Sequence, residues 1–364
     1  MTTGKTKISM LQVFMVFSLM NGLCTHVIVN PMVLGASGRD AWITALVSGA
    51  LFIVWSLLLV WLIQRSGQQK WHAWLADKTH PSLSWLLIAP LIIILYMIGG
   101  TTVVQTARWN ITNYLPQSPE LLLVVALVVI CTILALWGLR VIAILSGILL
   151  PIVVVLGIFV AVSNSSMKDY HLLQPMLEQG WSPVLKGMVY TGGGFVELIV
   201  LIALQHRIKT KIRAWPVVIY AVFVTLITVG PLVGAITEFG PIEAANQMIS
   251  PYEQWRLVKI GQYVEHVDFF SIFQWLSGAC IRISLSVYLI IELLPIKRIR
   301  TRLWVIVGIM LSYLTWSLFP INEYIFFLWL SRYYMPISLT VLLALSFLWM
   351  LIALFSKPVK EGSV

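Results

Sequence analysis

The chain alternates long apolar stretches with short polar segments along its whole length. Each stretch is close to or longer than the roughly 20 residues that an α-helix needs to cross the hydrocarbon core of a bilayer. The stretch from Leu121 to Val162 is about twice that length and holds a single charge, Arg140, so we divide it there into two helices. The pattern predicts ten transmembrane helices, over Ile8–Leu34, Ala41–Ile63, Leu83–Val104, Leu121–Gly138, Val141–Val162, Val184–Leu204, Trp215–Ile236, Phe269–Leu294, Leu303–Phe319 and Met335–Phe355.

The composition excludes an ordinary soluble domain. Of the 364 residues, 59% are hydrophobic and 10% are charged, whereas roughly 25% are charged in a soluble domain. A globular core so large and apolar would leave too little polar surface to cover it. We therefore predict a single all-α membrane domain, residues 1–364, in contact with the lipid bilayer.

The net charge of +10 raises the question of a nucleic-acid partner. The basic residues form short clusters between the apolar stretches, and not one patch with interleaved aromatic residues, so we expect no nucleic acid to bind. Cys24, Cys131 and Cys280 lie in apolar stretches without the spacing of metal ligands. We expect no metal, no cofactor and no enzymatic activity, since no nucleophile, metal cluster or acid pair is visible.

The basic residues also predict the orientation, because cytoplasmic loops of membrane proteins are rich in Lys and Arg. With the N-terminus inside and ten crossings, 16 basic residues fall in inner segments, including Lys5, Lys357 and Lys360 near the termini. Outer segments hold 7, and Arg282 lies within a helix. We predict that both termini are cytoplasmic.

Ten helices with both termini on one side divide into two groups of five that enter the membrane from opposite faces. Such a five-plus-five inverted repeat, here residues 1–162 and 184–356, is the LeuT-like architecture found in many secondary transporters. In these folds the first helix of each repeat is broken near the midplane, where the freed backbone groups bind solute. We therefore expect broken helices one and six.

Polar residues and glycines interrupt both of these helices at corresponding depths. Helix one contains the polar, glycine-bearing segment Met20–His26, and helix six contains Tyr190–Glu197 with three consecutive glycines. Each glycine lowers helix stability by roughly 1 kcal/mol relative to alanine. We predict that helix six opens at Gly192–Gly194 and that the breaks mark a solute site.

Three titratable residues lie inside predicted helices, where an ionised side chain is costly. Glu197 is a proton site, a counter-charge for an amino group, or a neutral side chain that caps amides beside the glycines. Arg282 binds a substrate carboxylate, pairs with an interior acid such as Glu197, or has a structural role. His26 is a further proton or charge site, or a hydrogen-bonded packing residue. The sequence leaves these alternatives open.

The outer segment Glu238–Asp268 differs from the other predicted loops. It contains Pro241 and Pro251, and two acids, Glu265 and Asp268, precede helix eight. Acids three residues apart lie on one face of a helix. The segment lines an outer vestibule, contacts a partner or forms a solvated amphipathic helix, and the sequence does not choose among these.

Several groups of residues together resemble one known family. They are a short Lys-rich start, the sequence Asp40-Ala41-Trp42-Ile43 before helix two, and the Gly/Glu sixth helix followed by the basic segment Arg207–Arg213. The most specific group runs from Glu253 to Trp275 and contains Ile260-Gly261-Gln262-Tyr263-Val264-Glu265-His266-Val267-Asp268. Over essentially its whole length the chain resembles the permease-like B subunit of the nutrient germinant receptors of spore-forming bacteria.

The resemblance implies a fold of the amino acid–polyamine–organocation transporter type. It also implies a small ligand, usually an amino acid or a sugar, between helices one, three, six and eight. Two partners are implied, a second membrane subunit and a lipoprotein, in the inner membrane of the dormant spore. The residues expected to bind the ligand are Asn21, Gly22, Leu23, Cys24, Thr25, Thr101, Thr102, Gln105, Gly192, Gly193, Gly194, Glu197, Trp275 and Ser277.

The preferred hypothesis is a germinant-sensing subunit, in which ligand shifts the bundle and the shift passes to the partner. Such a signal requires that the ligand bind two states of the bundle with different affinity. A proton-coupled amino-acid transporter that works through Glu197 is the alternative, and a passive scaffold is a third reading. Asn21 and the triple glycine depart from the usual family pattern, so the ligand's identity stays open.

Overall fold

The protein is almost entirely helical in a computed structural model that describes residues 7–114, 117, 119–259 and 266–356. Lys5, Lys357, Lys360 and residues 260–265, which entered the sequence argument, lie outside the described residues. The α-helices are α1 Met10–Gly22, α2 Asn30–Ser37, α3 Ala41–Arg65, α4 Trp71–Lys78, α5 Pro81–Asn113, α6 Glu120–Trp137, α7 Leu139–Ser163, α8 Ser182–Phe195, α9 Leu201–Leu204, α10 Ala214–Phe239, α11 Pro241–Asn246, α12 Ser250–Arg256, α13 Phe269–Leu293, α14 Ile299–Ser317, α15 Glu323–Trp329 and α16 Met335–Phe355.

Within the described residues, eight helical stretches are long and apolar enough to cross a membrane. This confirms an all-α, multi-pass membrane protein. The stretches are Met10–Arg65, Pro81–Asn113, Glu120–Trp137, Leu139–Ser163, Ser182–Arg207, Ala214–Phe239, Phe269–Leu293 and Glu323–Phe355.

The first of these stretches contains both predicted helices one and two. Its 56 residues would extend roughly 84 Å as one straight helix, far more than the hydrocarbon thickness of about 30 Å. Gly38 has φ +54 between α2 and α3, a backbone conformation that turns the chain and suits glycine. The predicted ninth helix coincides with α14, a 19-residue helix that is not among the eight. The count of ten stays a prediction.

Helix α13 is the centre of the bundle, whereas α7 lies at its edge. Between Ser277 and Leu293 every residue of α13 except Cys280 is buried, and α13 packs against α1, α5, α6 and α7. On α7, Val155 and Ile158 are 64% and 59% exposed. The polar side chains of α13 therefore face protein, and the exposed apolar side chains of α7 suit contact with lipid.

The interruption of the first stretch is a π turn, Leu23–Ile28, between α1 and α2. Its wider hydrogen bond runs from the Val29 amide to the Cys24 carbonyl at 2.9 Å. Pro31 follows, and a proline lacks the amide hydrogen and collides with the carbonyl four residues earlier in a regular helix. A π turn is one way to accommodate this conflict, and the second π turn, Leu330–Tyr334, also precedes a proline, Pro336.

The prediction that helix six opens at the three glycines is wrong. Helix α8 continues through Gly192–Gly194 to Phe195, and the irregular part is the 3₁₀ turn Val196–Val200 that follows. The glycines serve close packing instead. A Cβ on Gly193 would lie 3.3 Å from the Met335 carbonyl oxygen, and one on Gly194 would lie 2.9 Å from the Thr25 methyl carbon.

Several basic side chains surround a buried carboxylate, Glu292, at one end of the bundle. The Glu292 side chain is 2% exposed and accepts hydrogen bonds from His206 at 2.8 Å and Arg207 at 2.9 Å. Lys70 and Arg302 lie 3.6 and 3.5 Å away. These groups come from four separate parts of the chain, so Glu292 holds the connecting segments at this end together.

The segment before α1 is fixed at the same end. The amide of Ile8 donates to the Arg207 carbonyl at 2.8 Å, and the amide of Lys209 donates to the Ile8 carbonyl at 2.9 Å. This short parallel bridge joins the start of α1 to the segment after α9.

Candidate functional site

Glu197 and Arg282 form a buried ion pair with two hydrogen bonds. Nη1 of Arg282 donates to Oε2 of Glu197 at 2.5 Å, and Nη2 donates to Oε1 at 2.6 Å. Each residue is 1% exposed. The same guanidinium donates through Nε to the Thr102 hydroxyl at 3.1 Å and through Nη1 to the Met20 carbonyl at 3.0 Å. The charge is thus compensated and its donors are directed to four acceptors, as a buried charge requires.

This pair joins four parts of the bundle at one place. Met20 lies in α1, Thr102 in α5, Glu197 in the 3₁₀ turn after α8, and Arg282 in α13. The sequence left open whether Arg282 pairs with Glu197 or meets a ligand carboxylate, and the structure shows the pair. The Met20 carbonyl was not foreseen, because a backbone acceptor leaves no mark in a sequence.

The predicted residues of the first interruption lie next to this pair and against α8. Asn21 is fully buried, and its side-chain amide lies beside the Tyr220 hydroxyl. That hydroxyl donates to the Phe17 carbonyl at 3.3 Å. Cys24 and Thr25 are also buried, and both lie within 4 Å of the position that a Cβ on Gly194 would take. The π turn therefore packs against the end of α8, just before the Val196–Val200 turn.

Three other predicted binding residues lie away from the ion pair. The Thr101 hydroxyl donates to the Met97 carbonyl at 2.7 Å, and the Ser277 hydroxyl donates to the Phe273 carbonyl at 2.6 Å. Gln105 lines a separate small cavity of about 20 Å³ near Arg108. These side chains are not joined to the Glu197–Arg282 pair.

A cavity of about 560 Å³ lies on another side of α1. Gly22, Leu23, His26 and Trp275 line it and belong to the predicted residues. Neither Glu197 nor Arg282 lines it. Some of the predicted residues therefore lie at the ion pair, others line the cavity, and the rest belong to neither place. Further walls come from α7, α10, α12 and α13, through residues such as Val153, Phe223, Gly230, Tyr252, Trp255 and Gln274.

Sequence reasoning missed these further walls for a physical reason. Val153 and Phe223 are apolar residues in apolar helices, where a cavity-facing position looks like a lipid-facing one. Gly230 and Gly234 have the Gly-x-x-x-Gly spacing, which by itself is a weak indication of helix packing. In the structure Gly234 does pack closely, since an added Cβ would lie 2.5 Å from Gln254 Oε1. Gly230 instead borders the cavity and has no atom within 4 Å of an added Cβ.

His26 presents an acceptor at the cavity. Its Nδ1 lies 2.7 Å from the Ile227 carbonyl oxygen, which can only accept, so Nδ1 carries the hydrogen. In the neutral ring Nε2 is then an acceptor, and it makes no hydrogen bond within the described residues.

Aromatic residues close the cavity at the end that carries α12. Trp109 and Trp275 stack with ring centroids 4.3 Å apart and planes 5° apart. Tyr252 meets Trp109 edge-on at 5.6 Å, and Tyr114 contacts both at 5.5 to 5.6 Å. Burial raises the pKa of the Tyr114 phenol well above its ordinary value. It therefore stays a neutral donor, to the Asp268 carbonyl at 2.8 Å.

The outer segment of the sequence analysis thus forms one wall of the cavity. Pro251, Tyr252, Gln254 and Trp255 of α12 all line it. Trp255 donates to Gln274 Oε1 at 2.8 Å, which ties α12 to α13. Of the two acids predicted before helix eight, Asp268 is described and Glu265 is not.

Known proteins with similar sequences place this architecture in one family. A family profile described as spore germination protein matches residues 7–324. Spore germination protein XB of Bacillus anthracis is 37% identical over 355 residues, which cover 98% of this chain and 100% of that protein. Spore germination protein KB of Bacillus subtilis (strain 168) is 22% identical over 292 residues, or 78% of this chain and 77% of the relative. The chain belongs to the spore germination protein family.

Proposed function

We propose that this protein is the nutrient-sensing membrane subunit of a germinant receptor. A small nutrient, an amino acid or a similar solute, binds within the bundle near the interruption of the first helix. The fold is a ten-helix, five-plus-five inverted repeat of the LeuT-like type. Binding changes the arrangement of the helices, and the change passes to partner subunits.

The observation that carries this proposal is the position of the Glu197–Arg282 pair. It joins α1, α5, α13 and the turn after α8, and Arg282 bonds to the Met20 carbonyl at 3.0 Å, three residues before the π turn begins. Solute bound beside Gly22 and Leu23 would act on the segment that this bond holds. Packed helices with such shared contacts change between discrete arrangements, which suits a signal.

The family membership supports a proposal for the partners and the location. A second membrane subunit and a lipoprotein are the proposed partners, and the inner membrane of the spore is the proposed location. The excess of Lys and Arg in alternate segments supports cytoplasmic termini. The Glu292 cluster then lies on the cytoplasmic side and α12 on the outer side.

The experiment is a germination panel with spores whose other germinant receptors have been deleted. Spores that carry this gene, with its partner genes, are compared with spores in which only this gene is removed. We expect germination with one defined nutrient or nutrient class and its loss on removal. Identical responses of the two strains to every nutrient would overturn the proposal.

A proton-coupled transporter is the alternative, and it would work through Glu197. The ion pair argues against it, because Glu197 would have to leave two charge-assisted hydrogen bonds before it could take up a proton. Uptake of labelled amino acids into proteoliposomes that contain this chain alone distinguishes the two. Accumulation driven by a pH gradient would favour the transporter.

A further inference from the structure

The residues that line the large cavity beside α1 carry very little charge. We propose that it binds an uncharged solute that has an aromatic or apolar face together with hydrogen-bonding groups, in preference to a zwitterionic amino acid. This deepens the proposed function and rests on it only in taking that solute as the sensed nutrient. The site lies between α1, α5, α7, α10, α12 and α13.

Among the described residues that line the cavity, Lys168 is the one with a formal charge. Its ammonium donates to the Ala161 carbonyl at 3.0 Å and lies 3.7 Å from the Glu238 carboxylate, whose side chain is fully buried. This charge already has a counter-ion. A zwitterion would bring an ammonium group into a space whose lining has no carboxylate, and an unpaired charge in such surroundings is strongly disfavoured.

The charges that suit an amino acid lie elsewhere and are occupied. Glu197 and Arg282 do not line the cavity, and each satisfies the other. An amino acid at that place would have to separate a buried ion pair, which is costly. The cavity therefore has room for a solute but little charge, whereas the Glu197–Arg282 pair is charged but does not border the cavity.

The cavity lining has one accessible hydrogen-bonding group without a partner, on His26, that an uncharged solute can use. His26 supplies the acceptor Nε2. The Ser18 hydroxyl and the Trp109 indole N–H also belong to lining residues and have no partner within the described chain, but both atoms are covered by neighbouring atoms. A solute therefore reaches these two groups only when the side chains that cover them move. Buried polar groups without partners are uncommon in proteins, and a bound ligand is one way to satisfy them.

The remaining walls suit a flat or apolar face. Phe223 provides aromatic surface and Val153 aliphatic surface, whereas Trp109, Trp275 and Leu19 are nearly covered and contribute little. The volume of about 560 Å³ lies in the range of small-molecule sites, which are mostly apolar with a few placed polar groups. The rim includes Ile158 and Leu226, each 59% exposed. The cavity therefore borders the lipid-facing surface, a setting that further disfavours a charged solute.

The test uses the purified full chain in lipid nanodiscs and a pair of probes that differ in charge. N-acetyl-L-phenylalaninamide is uncharged, and L-phenylalanine carries the same side chain on a zwitterion. Equilibrium dialysis with labelled probes gives the dissociation constants. We expect the uncharged probe to bind at least tenfold more tightly than L-phenylalanine.

Two glycine variants show whether the probe lies in this cavity. Gly230→Leu fills the cavity from α10, where an added Cβ has no atom within 4 Å, so the variant should fold. We expect this variant to raise the dissociation constant of the uncharged probe more than tenfold. Gly308→Leu is the matched control, because Gly308 of α14 is exposed outside the cavity and equally free of neighbours. It should leave binding unchanged.

His26→Leu removes the acceptor Nε2 and should raise the dissociation constant of the uncharged probe about tenfold. Tighter binding of L-phenylalanine, binding of neither probe, or binding that Gly230→Leu and Gly308→Leu affect equally would each overturn the inference. A cavity filled by a lipid acyl chain would appear as binding of neither probe. The assay needs no spores, so selective binding by a chain whose deletion leaves germination intact would refute the proposed function and retain the site.

Discussion

Arg282 donates two hydrogen bonds to Glu197, at 2.5 and 2.6 Å, at a place where each residue has 1% of its surface exposed. Further bonds from the same guanidinium reach Thr102 and the Met20 carbonyl. Removal of one member leaves the other charge buried without its partner. A single substitution here should therefore affect the whole bundle.

Replacing Glu197 by Gln should strongly destabilise the protein. The Arg282 guanidinium would remain buried among neutral groups, so we expect a loss of about 3–5 kcal/mol in the free energy of unfolding. Chemical unfolding of the purified protein in detergent micelles measures it. The control is Glu178→Gln, which breaks a pair with Arg39 in which the Glu178 side chain is 62% exposed. That change should cost less than about 1 kcal/mol.

Removing both charges should be less harmful than removing one. In the double variant Glu197→Leu, Arg282→Met no buried charge is left without a partner, so its unfolding free energy should exceed that of Glu197→Gln. A double variant that is less stable than the single one would show that the hydrogen bonds to Thr102 and Met20 matter more than the charge balance.

A side chain at Gly194 should disturb the contact between the two interrupted stretches. The Cβ of Gly194→Ala would lie 2.9 Å from the methyl carbon of Thr25, so we expect a loss of about 1–3 kcal/mol. Gly192→Ala is the matched control, because its nearest neighbour is the flexible end of Leu339 at 3.3 Å. Adding Thr25→Ser removes the clashing methyl and should restore stability. If the unfolding free energy of Gly194→Ala stays low when Thr25→Ser is added, this explanation is wrong.

The turn between α2 and α3 should tolerate only glycine at its centre. Gly38 has φ +54 and ψ -126, a conformation that costs other residues about 1–3 kcal/mol, so Gly38→Ala should lower the unfolding free energy by that amount. Gly35→Ala in α2 is the control, since a Cβ there has open space and should stabilise the helix by up to about 1 kcal/mol. Equal changes in the unfolding free energy of the two variants would contradict the need for glycine at position 38.

The Glu292 cluster should depend on its carboxylate more than on any one cation. Glu292→Gln removes the shared partner of His206 and Arg207 and should lower the unfolding free energy by about 2 kcal/mol or more. Arg302→Gln removes a single contact at 3.5 Å from a partly exposed side chain and should cost less than about 1 kcal/mol. The reverse order would mean that Arg302 has contacts beyond this cluster.

Much of the fold was visible in the sequence because lipid imposes a simple rule on composition. Apolar stretches such as Leu139–Ser163 are long enough to be recognised without any tertiary information. The polar residues within helices were recognisable for the same reason, and Glu197 and Arg282 stood out as costly charges. Their mutual pairing remained one alternative among several, since spacing along the chain does not give distance.

Other features depend on three-dimensional packing and left no clear sequence signal. Gly192–Gly194 resembled a helix break by propensity, yet close contacts with Thr25 and Met335 explain why glycine occupies two of these helical positions. The cavity walls at Val153 and Phe223 are ordinary apolar residues. Whether such a residue faces lipid, core or cavity is decided by the neighbouring helices.

The dose dependence of germination tests the central claim most directly. Spores that express the wild-type chain, Gly230→Leu or Gly308→Leu at equal protein levels are titrated with the nutrient found in the deletion panel. If the chain senses that nutrient in its own cavity, Gly230→Leu raises the half-maximal concentration at least tenfold and Gly308→Leu leaves it unchanged. The same half-maximal concentration for all three proteins would contradict sensing at this site.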